Sequence, residues 1–593
     1  VSFSDRLDES AELVQYITPD SHYLESWDVL EPKKSYVSFV QPTINQLFDT
    51  RQAAVSLNEF AGNSVSAYDL LKSVGESYTN SFIASLGNSS FDSALQTGFV
   101  NNVNETASGS ANLSATVSAI NTQIPTSNGI EVVFYASVAL AYGKEANNPF
   151  LQEMPDPITR TSWDNFIALP YTFAINNKIE AMSQESTVKT ASVKVNNQEI
   201  VLPVIISYGQ AQDTIAIALG YGRSKGVGSA AFGSGKNAYP FLKYENGTVS
   251  YSSFSAEYET LAGTHQMGMS QRYHTLQEDN NLYNRPRRFR NNIVKEANLA
   301  EYRENENAGN EDREKIKHHL TTLYKGYDSP GHHWSMAVDL NSCIGCGACV
   351  ISCNVENNVP VIGRKEMSNT RSMHWLRIDR YYSGDPDNPD VAFQPLMCQH
   401  CDNAPCENVC PVNATNHSSE GLNQMAYNRC IGTKYCANNC PFKVRKFNWY
   451  DYQGNDSFGG WNDPTDASYM YNDLTRMVLN PDVTVRSRGV IEKCSFCVQR
   501  IQASKLTAKT EGRPLKDGDI KTACQTACPT NSITFGDRND KNSEVHRIFF
   551  ESARNYHLYE EMHFMTNVGY QVKIRNTDEK PEFTFIGAKE DKA

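Results

Sequence analysis

A chain of 593 residues, with 40% hydrophobic and 20% charged residues, is long enough for several folded domains with sizeable cores. Its formal net charge of −13 and pI near 5.6 argue against a general affinity for the nucleic-acid backbone. The longest apolar run, 132–142, has about half of the roughly 20 residues needed to span a bilayer, so it reads as core and no transmembrane helix is expected. Val1 is not followed by a charged, apolar and cleavable leader pattern, so the chain reads as a mature product or a piece of something longer.

Residues 1–128 mix helical patterns with a Ser/Asn/Thr/Ala-rich stretch, 84–127, that reads as loop. From 129 to 261 the pattern changes to β-branched segments at 192–195, 199–206 and 214–219, broken by Gly-rich turns, which predicts a compact β-rich domain. Residues 262–330 are strongly polar, with Glu, Asn, Arg and Lys filling 291–317, and read as a linker helix or wrapping arm. Within this stretch Arg285, Arg287, Arg288 and Arg290 form a basic cluster that reads as solvated linker. The region 331–540 carries short alternating segments at 333–340 and 374–381, with cysteines in the loops that follow them. Residues 541–593 form a C-terminal extension. The expected class is α+β and multidomain.

All fifteen cysteines lie between Cys343 and Cys528. The first group is Cys343, Cys346, Cys349 and Cys353; the second is Cys398, Cys401, Cys406 and Cys410, followed by Pro411. Both follow the bacterial ferredoxin spacing, with a two-residue insertion in the second. The third group is Cys430, Cys436 and Cys440, and it places Thr433 where a second cysteine would stand. The fourth is Cys494 and Cys497, then Cys524 and Cys528 after a long insertion. In this spacing three close thiolates grip one cluster and the next cysteine serves its neighbour, so the groups work in pairs.

The pairing that leaves no cysteine over joins group one with four and group two with three. It predicts a 4Fe-4S cluster on Cys343, Cys346, Cys349 and Cys528, and another on Cys494, Cys497, Cys524 and Cys353. A third 4Fe-4S cluster falls to Cys398, Cys401, Cys406 and Cys440. Cys410, Cys430 and Cys436 remain for a 3Fe-4S cluster, because the neutral hydroxyl of Thr433 is a poor ligand for a fourth iron. A water or hydroxide completing a labile fourth iron is the alternative. Zinc prefers separated pairs of cysteines, disulfides would leave one thiol over, and haem attachment needs a His after a CxxC that is absent here. His400 is placed either to hydrogen-bond to the adjacent cluster or to pack against it. His332 and His333 read as docking residues. Lys443, Arg445 and Lys446 read as a solvated basic face or, with Phe442 and Phe447, as a membrane-side contact.

The motifs GHHW at 331–334, DLNSCIGCGAC at 339–349, HWLRIDRY at 374–381 and CANNCPFKVR at 436–445 resemble the four-cluster subunits of polysulfide, dimethyl sulfoxide and nitrate reductases. They are most similar to the large iron-sulfur subunits of bacterial alternative complex III. The stretches NPFLQEMPDPITRTSWDN at 148–165, ALGYGR at 218–223 and GKNAYP at 235–240 resemble the dinucleotide-binding domain of molybdopterin oxidoreductases. The resemblance implies a molybdopterin-dinucleotide-binding-like domain at 129–261, retained without its cofactor, followed by a double ferredoxin-like domain. It also implies an electron-transfer role with no catalytic site in this chain and no molybdopterin. Quinol would be oxidised in a membrane-embedded quinol-binding subunit, and haem c subunits, with a terminal oxidase beyond them, would receive the electrons at the periplasmic face of the cytoplasmic membrane. A molybdopterin oxidoreductase fused to its own iron-sulfur wire is the alternative.

Overall fold

A computed structural model describes every residue except 35, 75, 77–90, 102–108, 111, 124–128, 180–186, 196, 246, 272–292, 320–328, 450–475 and 578–593. The basic cluster at 285–290 lies outside the described residues. The chain forms two compact units, one of residues 1–126 with 223–228, the other of 127–222 with 229–593. In the first, the strands Asp28–Lys33, Tyr36–Val40 and Phe99–Asn101 form a sheet over a core of Val37, Phe39, Leu71, Phe91, Ala94 and Val100. Part of the stretch expected as loop is helical here, over Phe91–Thr97 and Leu113–Gln123. Ala, Leu and Gln are good helix formers, and they outweigh the Ser and Thr between them.

The second unit opens with a closed six-stranded barrel, in the order Ser252–His265, Ile130–Ala136, Thr214–Leu219, Ile167–Leu169, Gln198–Ile206 and Val188–Val195. Alternation dictates its interior: Ala191, Val193 and Val195, then Ile200, Leu202, Val204 and Ile206, then Ile215, Ile217 and Leu219 all face inward. The β-branched segments read from the sequence are three of its staves. The apolar run at 132–142 contributes a fourth stave, and among the described residues no helix is long and apolar enough to cross a membrane.

The cysteine region is built on a four-stranded sheet. Trp334–Asp339 pairs antiparallel with Ile533–Asp537 and parallel with Val568–Gln571, which pairs in turn with Asn555–Tyr556. The chain beyond residue 540 thus supplies half of that sheet. The polar stretch before residue 330 is tied in as well: Glu296–Asn298 runs parallel to Lys573–Arg575, and Val294, Ala297 and Ala308 join the core around Trp334, Met336 and Val338. Between the first two cysteine groups, the hairpin Arg377–Asp385 and Asn388–Leu396 sends Tyr382 into the barrel core, 4.9 Å from the ring of Tyr208.

Glu153 makes a second tie between barrel side and cysteine side. Its buried carboxylate accepts the amides of Ile362 (3.0 Å) and Gly363 (2.9 Å) and the indole N–H of Trp163 (3.3 Å). Burial pushes its pKa up from 4.5 to about 8, against the pull of those donors. The folded state therefore holds the proton more tightly than the unfolded chain. The resulting stabilisation is complete below pH 4.5 and is lost as pH rises through about 8. Glu153→Gln is expected to flatten that part of the stability profile, read as the midpoint of anaerobic thermal unfolding against pH. A slope identical to that of the parent would exclude Glu153 as its source.

Candidate metal centres

Each cysteine pair of x3 spacing starts on a short helix. Cys349 and Cys353 lie on Ala348–Glu356, Cys406 on Pro405–Asn408, Cys436 on Tyr435–Asn438 and Cys524 on Ala523–Thr526. The first of these helices packs against the fourth, and the second against the third. Ser352 Oγ donates to the Ala523 carbonyl at 2.7 Å, and Asn439 Nδ2 to the Pro405 carbonyl at 2.9 Å.

Between the first two ligand positions of each group the chain turns through a left-handed residue, at Gly345 (φ 71°), His400 (φ 43°), Gly432 (φ 69°) and Phe496 (φ 55°). Glycine is required at the first: a Cβ on Gly345 would stand 2.4 Å from the ring of Phe393. Groups one and three match position by position, since Gly347 (φ 84°) and Lys434 (φ 65°) are left-handed too. Thr433 therefore occupies the backbone place of Cys346. His400 and Phe496 take a conformation that costs a side chain about 1–2 kcal/mol. Their rings stack at 3.8 Å and 21°, joining the second cysteine group to the fourth.

The thiols converge in four places. Cys343, Cys346, Cys349 and Cys528 lie within electrostatic reach of one another, as do Cys353, Cys494, Cys497 and Cys524. Cys398, Cys401, Cys406 and Cys440 line one pocket; Cys410, Cys430 and Cys436 line another with Thr433. Each place adjoins the next, because Cys349 senses Cys524, Cys494 senses Cys398, and Arg445 lies beside both Cys406 and Cys436. The four form a row.

Burial drives most of these thiols upward: Cys343 to about 11, Cys406 and Cys497 to about 12, and Cys349, Cys353, Cys401 and Cys494 well above the usual range. Cys410 and Cys528 go the other way. Burial opposes their ionisation too, but amides of Val412, Ala414 and Thr415 outweigh it at the first, and hydroxyls and amides of Thr530 and Ser532 at the second. Ala414 N donates to Cys410 Sγ at 3.2 Å, Ile491 N to Cys430 at 3.4 Å and Ser532 N to Cys528 at 3.3 Å. Asn357 reaches Cys353 and Cys497, and Thr522 lies 3.2 Å from Cys524. No spacing motif pointed to these sulfur-facing residues.

Sets of three or four thiols around small spaces, with N–H groups aimed at sulfur, fit iron-sulfur cores. Among the described residues no three His, Cys, Asp or Glu side chains close on a single metal ion. The buried cation Arg445 supports the fit. Its Nη2 donates to Cys406 Sγ at 3.0 Å and to Asn423 Oδ1 at 2.9 Å, and its Nη1 to Thr415 Oγ1 at 3.1 Å. Burial works against its charge, but the thiolates of Cys406, Cys398, Cys436 and Cys440 overcome that effect and raise its pKa.

This placement corrects the reading of 442–447 as a basic or membrane-side face. Phe442, Val444 and Arg445 are buried, only Lys443 is exposed, and burial beside Arg377 pushes Lys446 down to about 8. The left-handed turn at Lys443 (φ 55°) breaks the alternation and swings Arg445 inward. His332 and His333 dock on Asp537 (2.7 Å) and Asp402 (3.2 Å). His400 is buried and strongly disfavoured from charging by burial and by Lys493; its Nδ1 accepts the amide of Asn423 at 3.2 Å.

At the barrel, the Gly/Asn loops hold one another. Asn165 Nδ2 donates to the carbonyls of Ala218 (3.0 Å) and Lys236 (2.9 Å), and its Oδ1 accepts Lys236 N at 2.9 Å. Asp164 accepts Gly235 N at 2.9 Å and pairs with Arg364 (3.2 Å) and His265 (3.0 Å).

Two family models match this region, both described as a 4Fe-4S dicluster domain, over residues 342–414 and 389–455. The chain is similar to the menaquinone reductase iron-sulfur cluster-binding subunit of Nitratidesulfovibrio vulgaris, 41% identical over 221 residues, covering 36% of this chain and 79% of that one. A putative dimethyl sulfoxide reductase iron-sulfur subunit of Halobacterium salinarum is 31% identical over 232 residues, covering 37% and 71%. The Hdr-like menaquinol oxidoreductase iron-sulfur subunit 1 of Archaeoglobus fulgidus is 31% identical over 237 residues, covering 37% and 76%.

Proposed function

We propose an electron-relay function, on the premise that this chain belongs to the family of iron-sulfur subunits of menaquinone- and dimethyl-sulfoxide-reductase-type complexes. The row of four adjoining thiol groups carries this reading. Cys343, Cys346, Cys349 and Cys528, then Cys353, Cys494, Cys497 and Cys524, then Cys398, Cys401, Cys406 and Cys440 each hold a 4Fe-4S cluster. Cys410, Cys430 and Cys436 hold a 3Fe-4S cluster. When bound, these groups supply one-electron carriers. The chain's own part is to exclude water, to fix the sulfurs, and to direct amides and charges at them.

The relay serves a quinol oxidoreductase of the alternative complex III kind. Electrons come from a quinol oxidised in a membrane-embedded partner and leave to haem c subunits and onward to a terminal oxidase, at the periplasmic face of the membrane. Two relatives named for menaquinone and menaquinol favour the quinol side. Around the Cys410 group, Thr433 is exposed, with Ile431 at 68% and Tyr435 at 54%, which suits docking of the quinol-side partner. At the other end of the row Ile344, 56% exposed beside Cys343, suits the haem side. The barrel acts as a framework without pterin, since Asp164 and Asn165 already occupy the loop groups that would hold one.

Metal and sulfide analysis with potentiometric EPR tests this reading. About fifteen irons per chain are expected, from three cores of four and one of three, with about sixteen sulfides and no stoichiometric molybdenum or pterin. Sixteen irons without an oxidised 3Fe-4S signal would overturn the ligand assignment. One pterin dinucleotide per chain would instead favour a molybdopterin oxidoreductase with a fused wire.

A further inference from the structure

We propose that Arg445 is a charge shared by two neighbouring clusters: placed between Cys406 and Cys436, its guanidinium raises the reduction potential of both. This rests on the assignment of those cysteines to adjacent clusters. The side chain is buried at 6% exposure, and its hydrogen-bond partners are Cys406, Cys436, Asn423, Thr415 and the Met425 sulfur, with no carboxylate among them. A buried guanidinium is costly unless an anion lies against it, and here the anions are cluster ligands from two groups. Positive charge beside a cluster favours its more negative, reduced state, so a cation touching both groups raises both potentials together.

The planar fork matters as well as the charge. Nη1 is anchored by Thr415 Oγ1 at 3.1 Å, and Nη2 is shared between Cys406 Sγ at 3.0 Å and Asn423 Oδ1 at 2.9 Å. Asn423 is itself fixed by Glu407, at 2.6 Å, and its carbonyl accepts the buried ammonium of Lys493. A lysine at 445 would keep the charge but lose the fork.

The test is potentiometric EPR on the assembled complex carrying Arg445→Gln or Arg445→Lys. With Gln, the potentials of the Cys398-group and Cys410-group clusters are expected to shift downward together while the two clusters on Cys343 and Cys353 stay put. Lys is expected to restore part of both shifts. Unmoved potentials, an equal shift in all four clusters, or identical Gln and Lys values would overturn the proposal. So would failure of both variants to assemble the two clusters, which would make Arg445 purely structural. The unsubstituted complex, titrated alongside, separates the premise: a missing 3Fe-4S signal there defeats the cluster assignment, whereas a resolved signal with an unmoved potential defeats Arg445 alone.

Discussion

In the Thr433→Cys chain the oxidised 3Fe-4S EPR signal is expected to vanish, and the iron content to rise from about fifteen to about sixteen per chain. Thr433 lines the same pocket as Cys410, Cys430 and Cys436, in a loop whose left-handed Gly432 and Lys434 match Gly345 and Gly347 around Cys346. A cysteine at 433 thus finds a backbone already shaped for a ligand. The additional thiolate brings more negative charge and lowers the potential of that cluster. Quinols are modest reductants, so reduction of the row by quinol should slow; a tenfold loss in rate would correspond to about 1.4 kcal/mol of barrier. Should the variant build the four-iron cluster and still oxidise quinol at the parental rate, then electrons do not arrive there, or the raised potential is unimportant.

Removing the carboxylate of Glu492 is expected to be the most damaging single change outside the cysteines. Glu492 and Arg486 are 0% and 1% exposed and pair at 2.8 Å. Trp375 Nε1 and Asn448 Nδ2 also donate to that carboxylate, at 3.1 and 2.9 Å. Glu492→Ala leaves a buried guanidinium without its anion, a loss of about 3–5 kcal/mol. The damage has a direction: Arg486 holds the carbonyl of Asn357, whose side chain reaches Cys353 and Cys497. The cluster of that group should therefore be shed first in an anaerobic denaturant titration followed by iron release. A double variant, Arg486→Met with Glu492→Leu, should recover much of the stability, because it removes both charges. Equal loss in single and double variants would mean that packing, not the stranded charge, sets the cost.

The sequence made some of this architecture readable for definite physical reasons. Strict alternation in 214–219 puts every second side chain inward, so the barrel staves announced themselves. The cysteine spacing spoke for iron-sulfur chemistry because three ligands on one turn of chain leave few other uses. Arg445 was illegible because its burial depends on a single left-handed residue, Lys443, which pattern does not reveal. The four-residue helices under Cys406, Cys436 and Cys524 are too short for a helical period. The strands at 568–571 and 573–575 were hidden for another reason: their partners, 334–339 and 296–298, lie more than two hundred residues upstream.

That long-range pairing bears on how the protein is made. The strand leading into Cys343 cannot gain its parallel neighbour until residue 571 has been synthesised, and the helix of Cys349, which meets Pro149–Glu153 upstream, gains its larger packing partner, Ala523–Thr526, only after residue 526. At about 5–20 residues per second, the first cysteine group waits on the order of 10–50 s after leaving the ribosome before its surroundings exist. During that interval the first group lacks the strands and helix that complete its core, and its thiols are more open to oxidants and stray metal ions. With Cys528 as its fourth ligand, the first group is therefore expected to be loaded with iron only after that residue has been made.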